Sequence, residues 1–316
     1  MYPVTIILPV YNGMKYLKQC VSSVLTQSFS QFQFLIIDDC STDESWDYLQ
    51  SLQDSRITLY RNSTNKGLFY NLNYLIKKNM SPLIKLWSQD DIMYPACIEN
   101  IIQFHKDNPA VGYSYTGRDY IDENGNITPV NKIDNTPAII SQELHTTISF
   151  ITGSLAGNIA NVTISAFALD KAGLFNEQMK ISGDFDMWVR IAKYFEVGFI
   201  NKPLIQLRNH KGQLSNQEQY FIYHIKEDIE VYNYLFSYIT KPEQKEGRRI
   251  LRNQKLLFYY TLMLKTLLKG KLKLFITFFK TIASFDNIFI ITWYFFLRKI
   301  LKLKPNFSLL GSLKQY

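Results

Sequence analysis

Cysteine is scarce: Cys20, Cys40 and Cys97 are the only three in 316 residues. Their odd number and unrelated spacings exclude a disulfide framework and a cysteine-based metal site, and imply a reduced, intracellular chain. Residues 1–12 lack the basic start and long apolar core of a signal peptide, so secretion is not expected. No internal repeat or low-complexity tract is present. Acidic residues are nearly missing from the last quarter. Residues 241–316 hold 16 Lys+Arg against 3 Asp+Glu, a balance of +13, whereas the other 240 residues hold 19 basic and 24 acidic groups, a balance of −5. The net charge of +8 therefore describes neither part. It points to a basic appendage on a mildly acidic body, with nucleic acid or an anionic membrane as the appendage's partner.

What is present suits a folded α/β protein. Hydrophobic residues make up 47% and charged residues 20%, and the length allows one large α/β domain plus an appendage. Apolar runs at Val4–Leu8, Phe32–Ile37, Ile57–Tyr60 and Leu83–Trp87 read as strands, the first ended by Pro9. Between them, residues 13–27 and a segment with Leu68, Leu72, Leu75 and Ile76 on one face have helical period. A short helix carrying Trp46 and Leu49 is capped by Ser41, Thr42 or Asp43. This βαβ alternation predicts a Rossmann-like, mostly parallel sheet with flanking helices. Residues 118–142 read as an excursion with a hairpin tip at Asp122–Gly125. Thr163–Leu169 reads as a strand, Gly183 to about Tyr194 as a helix, Val197–Ile200 and Leu204–Leu207 as strand pieces, and 216–239 as a helix.

Two carboxylate clusters follow predicted strands: Asp38-Asp-Cys-Ser-Thr-Asp43 and Ser88-Gln-Asp-Asp91. Groups at strand ends face the crevice where open α/β sheets bind ligands. One cluster suits a base N–H, which a carboxylate accepts well, and the other a metal-bound diphosphate.

With Pro9-Val-Tyr-Asn-Gly13, these strings resemble, in order, the motifs of the family-two glycosyltransferases of the GT-A fold, over roughly residues 2–215. The resemblance implies an inverting enzyme that uses a nucleotide-diphosphate sugar and Mn²⁺ or Mg²⁺. It puts Tyr11 and Asp39 on the base-binding positions, with Asp38 beside them, Pro9 shaping the turn, and Lys66 and Arg61 near the nucleotide. Asp90, which also contacts the nucleotide, and Asp91 match the metal cluster, although Ser88 replaces its first Asp. Asp184 matches the general base that takes a proton from the acceptor hydroxyl, although Gly183 replaces the usual preceding Glu. Asp186 reads as structural, paired with Arg190. The segment from Arg208 to Ser215 resembles the family's Arg-X-His stretch, which makes His210 a second metal ligand and lets Arg208 or Lys211 meet phosphate. The other histidines, His105, His145 and His224, carry no motif.

From about residue 243 the chain is basic and helical. Asn287–Leu297 runs uncharged for 11 residues between Lys280 and the group Arg298, Lys299, Lys302 and Lys304. A spanning helix needs about 20 apolar residues. The segment suits the membrane interface, with Trp293 and Tyr294 at headgroup level and lysines toward anionic lipid; packing of a helical bundle on the body is the other reading. The expected organisation is a catalytic domain over 1–215, with a nucleotide half (1–115) and an acceptor half (116–215), and a basic, membrane-associating helical region over 216–316. The expected acceptor is a polyprenyl-linked saccharide in bacterial O-antigen, capsule or exopolysaccharide assembly. The location would be the cytoplasmic face of the inner membrane, with no nucleic-acid partner. A processive polymerase is disfavoured because Gln206-Leu-Arg208-Asn does not match Gln-X-X-Arg-Trp. A sugar nucleotidyltransferase lacks support because residues 9–20 offer only Gly13, Lys15 and Lys18 as a triphosphate loop. A catalytically silent carbohydrate-binding protein is the remaining alternative, given Ser88 and Gly183.

Overall fold

The computed structural model describes residues 1–129, 135–210, 212–213 and 220–303. Lys211, Ser215, Lys304 and the start of the helix expected at 216 lie outside them. β1 (Val4–Val10), β2 (Phe32–Asp38), β3 (Ile57–Arg61) and β4 (Leu83–Leu86) alternate with α1 (Met14–Leu25), α2 (Ser45–Gln50) and α3 (Leu68–Lys78). There follow β5 (Ile92–Met93), α4 (Cys97–Asp107), β6 (Tyr113–Ile121), β7 (Ile127–Thr128), β8 (Ile139–Ile140), α5 (Gln142–Thr152), β9 (Val162–Ser165), α6 (Leu169–Ala172), α7 (Gly183–Ala192) and β10 (Val197–Arg208). The sheet order is β3-β2-β1-β4-β9-β6-β10-β5, with β7 paired to β6 and β8 to β10. β1 to β4, β6 and β10 run one way, and β9 and β5 run against them. The mostly parallel sheet read from the sequence is therefore present. Its first strands are near-continuous apolar runs because helices cover both faces.

The chain moves outward from β1 through β2 to β3, then returns to β4 on the other side of β1. That reversal opens a crevice at the carboxyl ends of β1 and β4. Pro9 does not end β1: the strand continues through it, opposite Ile37. Ile7 O accepts from Trp87 N while Val10 O accepts from Asp39 N, so odd positions face β4 and even ones β2. The N–H that Pro9 lacks would point past the last β4 pair, Ile7 with Leu86, and no ladder bond is lost.

Three other expectations shift. Residues 166–172 form helical turns, not the end of a strand. The two pieces around Lys202-Pro203 are one strand, β10, which absorbs the proline through register shifts between Ile200 and Ile205. The α3 face is turned by one position: Phe69 is buried while Leu68 is 37% exposed.

Among the described residues five helices follow: α8 (Phe221–Ser237), α9 (Lys241–Asn253), α10 (Lys255–Leu268), α11 (Leu272–Phe285) and α12 (Ile288–Phe295), the last running into a π-helical turn at Phe296–Ile300. Residues of α8 to α10, including Ile225, Tyr232, Ile250 and Tyr259, belong to the same contiguous core as Ile7, Tyr113 and Trp188. α11 and α12 add Phe278, Ile282 and Ile291 to it and leave Ile276, Phe279, Phe289 and Trp293 exposed. Among the described residues no single helix is long and apolar enough to cross a membrane; α11 and the segment from Ile288 to Ile300 meet the length and composition only as a pair bent by 106°.

Candidate active site

The β1 and β2 ends are laced together at the crevice. Asn12 Oδ1 accepts from Thr42 N at 2.8 Å, Asn12 N donates to Ser41 Oγ and Gly13 N to Ser45 Oγ, both at 3.0 Å. Met14 N donates to Asp43 Oδ2, so part of the α1 N-terminus is capped from the neighbouring loop. Asn12 and Cys40 both have positive φ, at 48° and 63°, which marks each as a sharp turn. Asp43 Oδ1 also accepts from Ser45 N; the N-cap of α2 is Glu44, without a side-chain cap, and not Ser41, Thr42 or Asp43 as expected.

Asp38 and Asp39 are both buried. Asp39 receives Asn62 Nδ2 at 2.7 Å, Lys66 N at 2.8 Å and Gly67 N at 2.9 Å. Three of about four acceptor positions on this carboxylate are thus filled by the protein. Asp38 Oδ2 takes Ser41 N and pairs with Arg61 Nε at 3.2 Å, while its buried Oδ1 has no hydrogen-bond partner among the described residues. Arg61 is therefore the counter-ion of Asp38 and lies over the Trp46 ring. The Lys66 side chain is exposed; its backbone is what Asp39 holds. Tyr11 is 47% exposed and fixed by Gln89, whose Oε1 accepts Tyr11 N at 2.9 Å and whose Nε2 donates to Tyr11 O at 3.1 Å. Gln89, to which the sequence reading gave no role, is the clamp between the two carboxylate loops.

At the second cluster, Asp90 Oδ2 lies 3.5 Å from His210 Nε2. Burial raises the Asp90 carboxyl above its ordinary value, and His210 opposes that rise. Asp91 turns the other way: it is buried and its Oδ1 accepts Arg208 N at 2.9 Å. Burial pushes its carboxyl up to about 7. Arg208 spends its guanidinium on protein acceptors, Asp90 O, Asp122 O and Gln19 Oε1, and stacks on Tyr16. It braces the Asp90 turn against the 122–125 hairpin instead of presenting a cation to solvent. No group of three or more His, Cys, Asp or Glu that could hold a metal occurs among the described residues. One carboxylate and one imidazole fit a hard dication that takes its remaining ligands from a diphosphate and water.

Asp184 stands in the first turn of α7. Burial pushes its carboxyl up to about 7; Asp228 adds to this, and Phe185 N and Lys255 pull against it. Asp186 pairs with Arg190 at 2.6 Å. The link from Asp184 to the first cluster is α3. Asp39 holds Gly67 N, and Phe69 two residues on would lie 2.7 Å from any Cβ added at Gly183. The Phe69 ring fills the space that a glutamate at 183 would need, which explains the Gly183 departure. Gly183→Ala is expected to destabilise the fold by about 1–3 kcal/mol through overpacking. Urea denaturation checks this; an unchanged midpoint would show that Phe69 yields freely. Buried Asn73 extends the bridge, donating to Phe175 O and accepting from Phe175 N, both at 2.9 Å.

The turn before Asp184 is held from the C-terminal helices. Glu227 of α8 accepts Lys180 N, Ile181 N and Ser182 N at 2.8–2.9 Å. Asp228 accepts from Ser182 Oγ at 2.6 Å and from Tyr259 OH, and lies 3.6 Å from Lys255 Nζ. This pair was missed from the sequence. Its signal is two adjacent acids inside a Tyr- and Ile-rich helix, since buried acids need partners.

The profile described as Glycosyl transferase family 2 matches residues 5–167, just over half of the chain. An uncharacterized glycosyltransferase of Rickettsia conorii is 29% identical over 215 residues, 68% of this chain but 35% of that protein, so the chain spans about a third of this relative's length. An Escherichia coli protein, UDP-Glc:alpha-D-GlcNAc-diphosphoundecaprenol beta-1,3-glucosyltransferase WfaP, is 28% identical over 215 residues, 67% of this chain and 79% of that one. The structure of S. aureus TarS 1-349 in complex with UDP-GlcNAc superposes with a TM-score of 0.62 at 15% identity, covering 77% of this chain and 70% of that one, which supports the GT-A fold. The chain belongs to glycosyl transferase family 2.

Proposed function

We propose that the chain is an inverting glycosyltransferase that moves a sugar from a nucleotide-diphosphate donor to a hydroxyl of a lipid-linked saccharide. The observation that carries this reading is the α3 bridge, which joins the Asp39-held loop to the Asp184 turn through Phe69 and Gly183. The base stacks on Tyr11 and donates its N–H at the Asp38–Asp39 turn. Asp90 and His210 would hold Mn²⁺ or Mg²⁺, which supplies neutralisation of charge on the departing diphosphate. Asp184 takes the acceptor hydroxyl's proton as that oxygen attacks the anomeric carbon, the glycosyl–phosphate bond breaks, and the nucleoside diphosphate leaves. The attack is a single in-line displacement, so the anomeric configuration inverts.

The WfaP relative is named for a diphosphoundecaprenol acceptor, and the exposed apolar and basic side chains of α11 and α12 suit an anionic bilayer surface. Both support a peripheral enzyme on the cytoplasmic face of a bacterial inner membrane, acting in surface-polysaccharide synthesis. The test is a melting-temperature series with UDP-Glc, UDP-GlcNAc and GDP-Man, each with Mn²⁺ and with EDTA. At least one donor should raise the midpoint, and only with the metal, because a ligand that binds the native state stabilises it. No shift with any donor would sink the reading, and an EDTA-insensitive shift would remove the metal from it.

A further inference from the structure

We propose that the cavity between α10 and the Phe296–Ile300 turn receives the diphosphate of the lipid-linked acceptor. This rests on the acceptor class proposed above and assigns it a second, separate contact. The cavity has a volume of about 400 Å³, and Lys265, Arg298 and Lys299 line it with no carboxylate among the lining residues. Such a volume lies within the range of ordinary small-molecule sites. Three cations with no ion-pair partner among the described residues call for a ligand with more than one negative charge. A phosphodiester headgroup carries one; a lipid diphosphate carries more.

Arg298 supplies an independent sign. Its guanidinium is half-buried, Nη1 donates to Leu303 O, and the buried Nε has no hydrogen-bond partner among the described residues. A buried donor left unmet costs free energy that an anionic oxygen would remove.

The rest of the lining is mixed, with Gln254 at one end of the set and Phe258 and Leu262 along α10. Phe258 is 57% exposed, and Trp293, Phe296 and Ile300 leave an apolar band on the neighbouring segment. Cations beside exposed aliphatic and aromatic surface fit an amphiphile, the head in the cavity and the isoprenoid chain along the band. α10 is also the helix whose Lys255 and Tyr259 face Asp228, behind the Asp184 turn. One helix thus forms a wall of the cavity and a support of the candidate base.

Geranyl diphosphate serves as a short soluble probe, titrated calorimetrically into the full chain without donor. Saturable binding is expected, at least about tenfold weaker in Lys265→Ala/Lys299→Ala, both exposed positions, and unchanged in the charge-matched control Lys273→Ala/Lys280→Ala. Transfer to a diphosphate-linked acceptor should show a matching rise in KM in the first variant, with donor hydrolysis in the absence of acceptor unchanged. Equal losses in both variants would overturn the site in favour of diffuse charge attraction. Inorganic diphosphate binding as tightly as the probe would overturn the lipid part. Full displacement of the probe by phosphatidylglycerol vesicles would make this a headgroup site. The binding measurement needs no catalysis, so a failure of the glycosyltransferase reading shows in donor hydrolysis and not here.

Discussion

Asp184→Asn is expected to lower the rate of sugar transfer by about 10²–10⁴-fold while leaving donor binding intact. The substitution keeps size and polarity but removes proton-accepting capacity. Asp184 titrates near 7 because burial disfavours its charge, with Asp228 adding to the effect and Lys255 opposing it. A base must be deprotonated, so kcat in the wild type should rise as pH increases through about 7 and level off above it. The same shift has a stability consequence of known sign. The folded carboxyl holds its proton more tightly than the unfolded one, so this group's favourable contribution is complete below the unfolded value near 3.8 and is lost as pH rises through about 7. Asp184→Asn should therefore melt at the same or higher temperature than wild type at pH 8, in contrast to its loss of activity. Wild-type transfer rates in the variant would exclude Asp184 as the base. A variant that is both inactive and unfolded at pH 8 would show that its role is structural.

Asp90→Asn is expected to abolish the Mn²⁺-dependent part of nucleotide binding and to reduce transfer by about 10²–10³-fold, the equivalent of several kcal/mol of charge stabilisation on the leaving diphosphate. Asp91→Asn supplies the contrast. Asp91 is buried and turned to Arg208 N, and an amide oxygen accepts that bond as well, so this neighbour should keep its response to Mn²⁺. Calorimetry of Mn²⁺ in the presence of UDP reads both variants without relying on turnover. Equal loss in the two would return Asp91 to the metal set, and no loss in Asp90→Asn would remove Asp90 from it.

The basic C-terminal stretch shows where composition alone misleads. Its charge balance separates it from the body, yet Ile250, Leu251, Tyr259 and Met263 lie in the body's core, and Glu227 and Asp228 hold the turn before Asp184. Charge reports on the solvent side of a helix, whereas packing is decided by the opposite face. Arg208 shows the reverse case: a residue next to a family motif reads as a ligand-facing cation, but its side chain is buried and hydrogen-bonded to Asp90 O, Asp122 O and Gln19 Oε1.

The sequence by itself determined the sheet and the order of its loops. Apolar runs of strand length, separated by helical periods, have few arrangements in which both faces are buried, and parallel strands put their carboxyl ends together. Asp38, Asp39 and Asp90 stand out as candidates for that reason, just past strand ends, whereas Asp184, in the first turn of α7, is a candidate only through the family resemblance. Only the tertiary structure decided how those ends meet. Gln89 clamping Tyr11, Phe69 filling the place beside Gly183, Asn73 holding Phe175 and Glu227 capping the 180–182 turn are contacts between residues 45 to 114 positions apart, or between loops with no period of their own. Periodicity encodes which face of an element is buried; it carries no information on what that face touches. The Asp184 proton affinity is of the same kind, because it depends on burial and on Asp228 and Lys255, which only folding brings beside it.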